Sequence, residues 1–135
     1  MNCTTNIKRW QIAGFLFTCI FGTILHFVYE WSGESVVAAP FSGVNESTWE
    51  HMKILFVPMF IFSMIEKHLS CCDFQSFWCS KLKGITLGIF TIPVLFYTAN
   101  GIFGQTPAWI NIAIFYISAA MAFCYEYYLF KKEKK

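Results

Sequence analysis

The run Asn45-Glu46-Ser47-Thr48-Trp49-Glu50-His51-Met52-Lys53 gathers ionisable groups of both signs and an imidazole at the mouth of an apolar segment. Isolated charges at a bilayer boundary are costly, so a cluster of them suggests groups that meet one another or a ligand. His26 and Glu30, four residues apart, share one face of the preceding apolar segment near its outer end. Glu46, Glu50 and Lys53 align at the start of the next, with His51 turned by roughly 100° from Glu50. A hairpin between the two segments would bring these groups to one depth. His26, His51, Glu30 and Glu50 then form a ligand set suited to zinc, iron or manganese, and an open coordination position would generate a hydroxide, with Glu30 or Glu50 as general base. Asn45, Glu46, Trp49 and Lys53 would bind the polar ligand at the rim, with Asn100, Gln105 or Asn111 as a lid. The spacing matches no established zinc motif and lacks the His-Glu-x-x-His arrangement of metalloproteases. Without metal, the same groups can hold a zwitterion or relay protons. The plainest alternative is a helix cap, a Glu50–Lys53 ion pair and a His26–Glu30 hydrogen bond that together pin a hairpin.

The elements that must position these residues are membrane helices. Of the 135 residues, 56% are hydrophobic and 13% charged, too apolar a mixture for a soluble fold of this size. Apolar stretches over about 10–31, 49–66, 82–103 and 108–130 each approach the roughly 20 residues that cross a hydrocarbon core. The expectation is an all-α, four-helix transmembrane bundle forming a single domain over 1–135, with the lipid bilayer as its main partner. Trp10 and Trp31 bracket the first span, and Trp49 and Trp109 mark the outer border of the second and fourth. Ser47-Thr48-Trp49-Glu50 has the form of a capping box. Pro58 and Pro93 fall inside the second and third helices and free the carbonyls of Ile54 and Ile89. Asp73 can cap a segment in which Phe74, Phe77, Trp78 and Leu82 lie along one side beside Lys81 and Lys83, read as a short interfacial helix between helices 2 and 3.

Lys8 and Arg9 precede the first span, Lys67, Lys81 and Lys83 fall between the second and third, and Lys131, Lys132, Lys134 and Lys135 follow the fourth. The loops 32–48 and 104–108 contain no lysine or arginine, so both termini are expected in the cytoplasm (N-in, C-in). The net charge of +2 is thus a topology signal, and scattering along one membrane face argues against nucleic acid as a partner. A cleaved signal peptide is disfavoured, because the first apolar run is long and contains His26 and Glu30. Cys3, Cys71, Cys72 and Cys79 fall on the expected cytoplasmic side and Cys19 and Cys124 within helices, so no extracytoplasmic disulfide is expected. A zinc set of His68, Cys71, Cys72 and Cys79 has the wrong spacing. Haem between His26 and His51 lacks any supporting signal.

The first helix carries a stripe of Cys19, Gly22, Thr23, His26 and Glu30 expected to face the bundle. Gly84-x-x-x-Gly88 in the third helix permits close helix approach, within one chain or as the face of a homodimer. Glu126 is expected to pair with a snorkelling lysine such as Lys131, and Glu66, Lys67 and His68 to form a solvated helix end.

The stretch His26-Phe-Val-Tyr-Glu-Trp-Ser-Gly-Glu34, followed by Val44-Asn45-Glu46-Ser47-Thr48-Trp49-Glu50-His51-Met52-Lys53 and Pro58, resembles a family of small bacterial multi-spanning membrane proteins of unknown function. The chain departs from that family's pattern at Gly43, which stands in place of proline. The resemblance implies the bacterial cytoplasmic membrane and names no substrate. Three functions remain open on the sequence. One is an outward-facing intramembrane polar pocket that binds a metal ion or a small polar ligand, with a metal-dependent hydrolase of lipid-like substrates as its enzyme version. The second is a dimeric proton- or cation-coupled transporter joined through Gly84 and Gly88, and the third is a structural or accessory subunit.

Overall fold

The computed structural model describes residues 6–43, 47–70 and 73–133, and within them the chain is four helices: α1 (Ile7–Trp31), α2 (Thr48–Leu69), α3 (Phe74–Phe103) and α4 (Ala108–Glu133). The elements follow from local signals. Ser47 caps α2, its hydroxyl accepting from the Glu50 amide at 3.4 Å, and the Asp73 carboxylate caps α3 by accepting from the Ser76 amide at 3.1 Å. Gly104, at φ 77°, closes α3 in a conformation that glycine adopts without a Cβ penalty. The interfacial helix expected after Asp73 is not a separate element: its residues are the first turns of α3, which runs unbroken through Pro93. Nothing between Phe74 and Leu82 breaks a helix, and Asp73 provides only one start signal.

The helices form a four-sided bundle. α1 packs against α2 and α4, α3 packs against the same two, and α2 and α4 touch across the diagonal. The core is built from Ile54, Leu55 and Met59 of α2, Ile85 and Ile92 of α3, and Phe115, Ala119, Ala122 and Phe123 of α4. α1 contributes differently: its buried residues are Gln11, Gly14, Thr18 and Gly22, while Ile12, Leu16, Ile20 and Ile24 point outward. Small or polar residues inside and large apolar ones outside suit a bundle whose surroundings are hydrocarbon. Gly14 lets Phe62 and Phe123 pack onto the α1 backbone, and Gly22 does the same for Phe115.

α1, α3 and α4 are long and apolar enough to cross a membrane. α2 differs in composition, with only the twelve residues 54–65 between Lys53 and Glu66 free of charge, about 18 Å of helix. Gly84 and Gly88 are buried within the chain. A Cβ at Gly84 would collide with Glu126, and one at Gly88 would come within 3.0 Å of Ala122 and 3.2 Å of Leu55. Of the two roles open to these glycines, the structure shows the one within a chain: they seat α4 on α3.

Candidate functional site

Charged and polar side chains collect at both ends of the bundle. At the end where the loops 32–47 and 104–107 lie, the structure brings His26 and His51 together, with ring centroids 5.6 Å apart. His51 is buried and its Nδ1 pairs with the Ser47 carbonyl at 2.9 Å, which fixes the ring against the α2 cap. Glu50 is engaged by Lys53 at 2.7 Å, and the same ammonium donates to the Ala39 carbonyl at 3.0 Å, tying the loop to α2. The Gly43 amide donates to the Leu25 carbonyl at 3.2 Å, so the loop folds back over the end of α1.

The chemistry expected of this end finds little room. The cavity between His26, His51, Thr23, Ile54 and Phe115 holds about 40 Å³, the scale of a water molecule, against roughly 300–1,000 Å³ for small-molecule sites. Among the described residues no group of three or more His, Cys, Asp or Glu side chains can hold a metal ion. The set His26, His51, Glu30 and Glu50 is thus not assembled: Glu30 is exposed on α1, and Glu50 faces Lys53. Trp49 is also exposed, as an interfacial anchor would be. Asn45 and Glu46, and Cys71 and Cys72 of the discounted zinc set, lie outside the described residues. Of the expected lid, Asn100 accepts from the Thr106 amide at 3.2 Å and organises its own loop, Asn111 is buried, and Gln105 is exposed. In the expected stripe on α1, Thr23 bonds the Tyr116 hydroxyl at 2.9 Å.

The opposite end, where the basic residues lie, holds a denser site. Lys81 of α3 is fully buried, with its Nζ 2.6 Å from Glu66 Oε2 of α2 and 2.7 Å from Glu126 Oε2 of α4. In the amide orientation that satisfies both neighbours, Gln11 of α1 donates to Glu126 Oε2 at 2.9 Å and accepts from Lys81 at 3.3 Å. Each helix of the bundle supplies one member. The rings of Phe77, Phe123 and Phe130 lie with centroids 5.6–5.8 Å from the ammonium, within cation–π range, and close the site against solvent. Below it, Glu133 accepts from Ser76 at 2.6 Å and from Ser80 at 2.9 Å, clamping the end of α4 to the start of α3.

Two carboxylates around one ammonium leave the trio with one negative charge in excess. Glu126 Oε1 is buried and has no hydrogen-bond partner among the described residues. The site therefore has both the charge and an open acceptor for one proton. This overturns two sequence expectations: Glu126 pairs with Lys81 across the bundle, not with a snorkelling lysine, and Glu66 is a buried ligand of the same lysine, not part of a solvated end. The overlooked signal is helical phase. Lys81 lies on the face of Phe77, Gly84 and Gly88, and Glu126 on that of Ala119, Ala122 and Phe130, so each charge sits in a stripe of small and packing residues.

No curated protein and no solved structure matches the chain. A family model described as a family of unknown function does match, and it covers residues 1–135, further than the first-half motif that carried the resemblance. The chain belongs to this family, DUF6512.

Proposed function

We propose that the protein is a small four-span membrane carrier that takes up and releases one proton at the Glu66–Lys81–Glu126 trio. The observation that carries this is the fully buried lysine shared by two carboxylates, which leaves one acidic group without a countercharge. An ionisable group inside a membrane bundle is by default a functional candidate, since hydrophobic residues of similar volume would stabilise the fold as well or better. A metal cation is a poor guest, because Lys81 already occupies the position between the two carboxylates and would repel it.

All four helices cross in this reading, since the charges that set α2 apart are matched: Glu50 by Lys53 and Glu66 by Lys81. In the same reading the end that holds the trio faces the bacterial cytoplasm together with both termini, a side that the excess of lysine and arginine there supports.

The test is infrared difference spectroscopy of the purified protein during a pH titration across neutrality. A protonated carboxyl band that appears in the wild type and is lost in Glu126→Gln supports the reading. No titrating carboxyl in the wild type would leave a permanently ionised structural cluster and sink it.

A further inference from the structure

A second feature lies against the trio from the membrane side. Between α1 and α4 at the basic end lies a groove of about 520 Å³, within the size range of small-molecule sites. Its walls are apolar, with Phe15 on one side and Ala120, Phe123 and Tyr127 on the other, and the neighbouring faces of both helices expose Ile12, Leu16 and Met121. It extends from Lys8 to Phe15 on α1, seven residues or about 10 Å, which is most of the depth of one leaflet in a core about 30 Å thick. Lys8 closes the groove at the start of α1, and among the described residues no acidic side chain lines it. Gln11 stands on its inner wall, with the amide bonded to Glu126 and Lys81 behind.

We propose that this groove seats one acyl chain of an anionic membrane lipid, with the headgroup held by Lys8 and the chain against Phe15 and Phe123. Length, apolarity and the single cation at the headgroup end all select that occupant. A zwitterionic lipid would fill the same space without the charge match. The inference goes beyond proton uptake and stands whether or not the trio titrates.

The experiment is native mass spectrometry of the full-length protein released from nanodiscs containing equal amounts of phosphatidylglycerol and phosphatidylcholine with identical chains. The wild type is expected to retain the anionic lipid preferentially. A basic residue near an anionic headgroup contributes about 1 kcal/mol, so Lys8→Gln should lower the retention ratio about fivefold. Arg9→Gln, a charge next in sequence but outside the groove, should leave the ratio unchanged. Ala120→Trp fills the groove and should reduce retention of both lipids. Equal retention by the wild type, an unchanged ratio in Lys8→Gln, or an equal loss in Arg9→Gln would overturn the proposal, the last by showing only general surface attraction. A dimer that excludes lipid would overturn it too, by making a second copy the occupant. Circular dichroism establishes that each variant is folded, and if Ala120→Trp is not, the two charge variants decide. The carboxyl band measured on the same samples reports separately on the trio.

Discussion

Glu66, Glu126, Gln11 and three phenyl rings surround the buried Lys81 ammonium and replace the hydration it would have outside. The members are not equivalent. Removing the lysine leaves two buried carboxylates facing each other, whereas neutralising one carboxylate leaves a matched pair. Lys81→Met should therefore destabilise the protein by about 3–5 kcal/mol. Glu126→Gln should change stability by less than about 1 kcal/mol, since Lys81 remains paired with Glu66. Denaturant unfolding in detergent, followed by far-UV circular dichroism, measures both, and equal stabilities would mean that the three groups do not act as one ionic unit. This site was hard to read in the sequence because its members span residues 11 to 126. Each one alone resembles an ordinary polar residue near a helix end. The outer cluster was conspicuous for the opposite reason, being contiguous, and its legible parts were the local ones: the Ser47 cap and the Glu50–Lys53 pair.

Helices were the most legible level, since apolar runs of membrane length have few other readings. Their boundaries and faces were less so. The stripe of α1 expected to face the bundle was Cys19, Gly22, Thr23, His26 and Glu30; the buried face is Gln11, Gly14, Thr18 and Gly22, which shares Gly22 with it and is selected at both glycines by aromatic rings that need a flat backbone to lie on. α3 uses its glycines in the same way for α4. Gly84→Leu must push into the Glu126 side chain and should cost about 1–3 kcal/mol or more, with a shift in the carboxyl band if the trio is displaced. Gly101→Ala meets nothing within 4 Å and should stay within about 0.5 kcal/mol of the wild type. The same unfolding assay checks the pair, and a Gly84→Leu protein no less stable than Gly101→Ala would show that the α3–α4 seam does not depend on a bare backbone at Gly84.

At the scale of the whole molecule, the proposed four crossings would put 36 and 105 on one side and 75 and 132 on the other. In a background without native cysteines, Val36→Cys and Gln105→Cys should react with an impermeant maleimide added outside intact cells. Gln75→Cys and Lys132→Cys should react only after the membrane is opened. Labelling of Gln75→Cys from outside would show that α2 does not cross. The cyclic packing of the four helices also orders the protein's biogenesis. Glu66 and Lys81 belong to consecutive helices, so within the α2–α3 hairpin these two charges already balance each other. Glu126 reaches the lysine only when α4, the last of the four to leave the ribosome, closes the ring between α1 and α3. Arrival of that helix converts a balanced pair into an acid-rich trio, so the site comes into existence only with the finished bundle, and a chain stalled before α4 inserts without it.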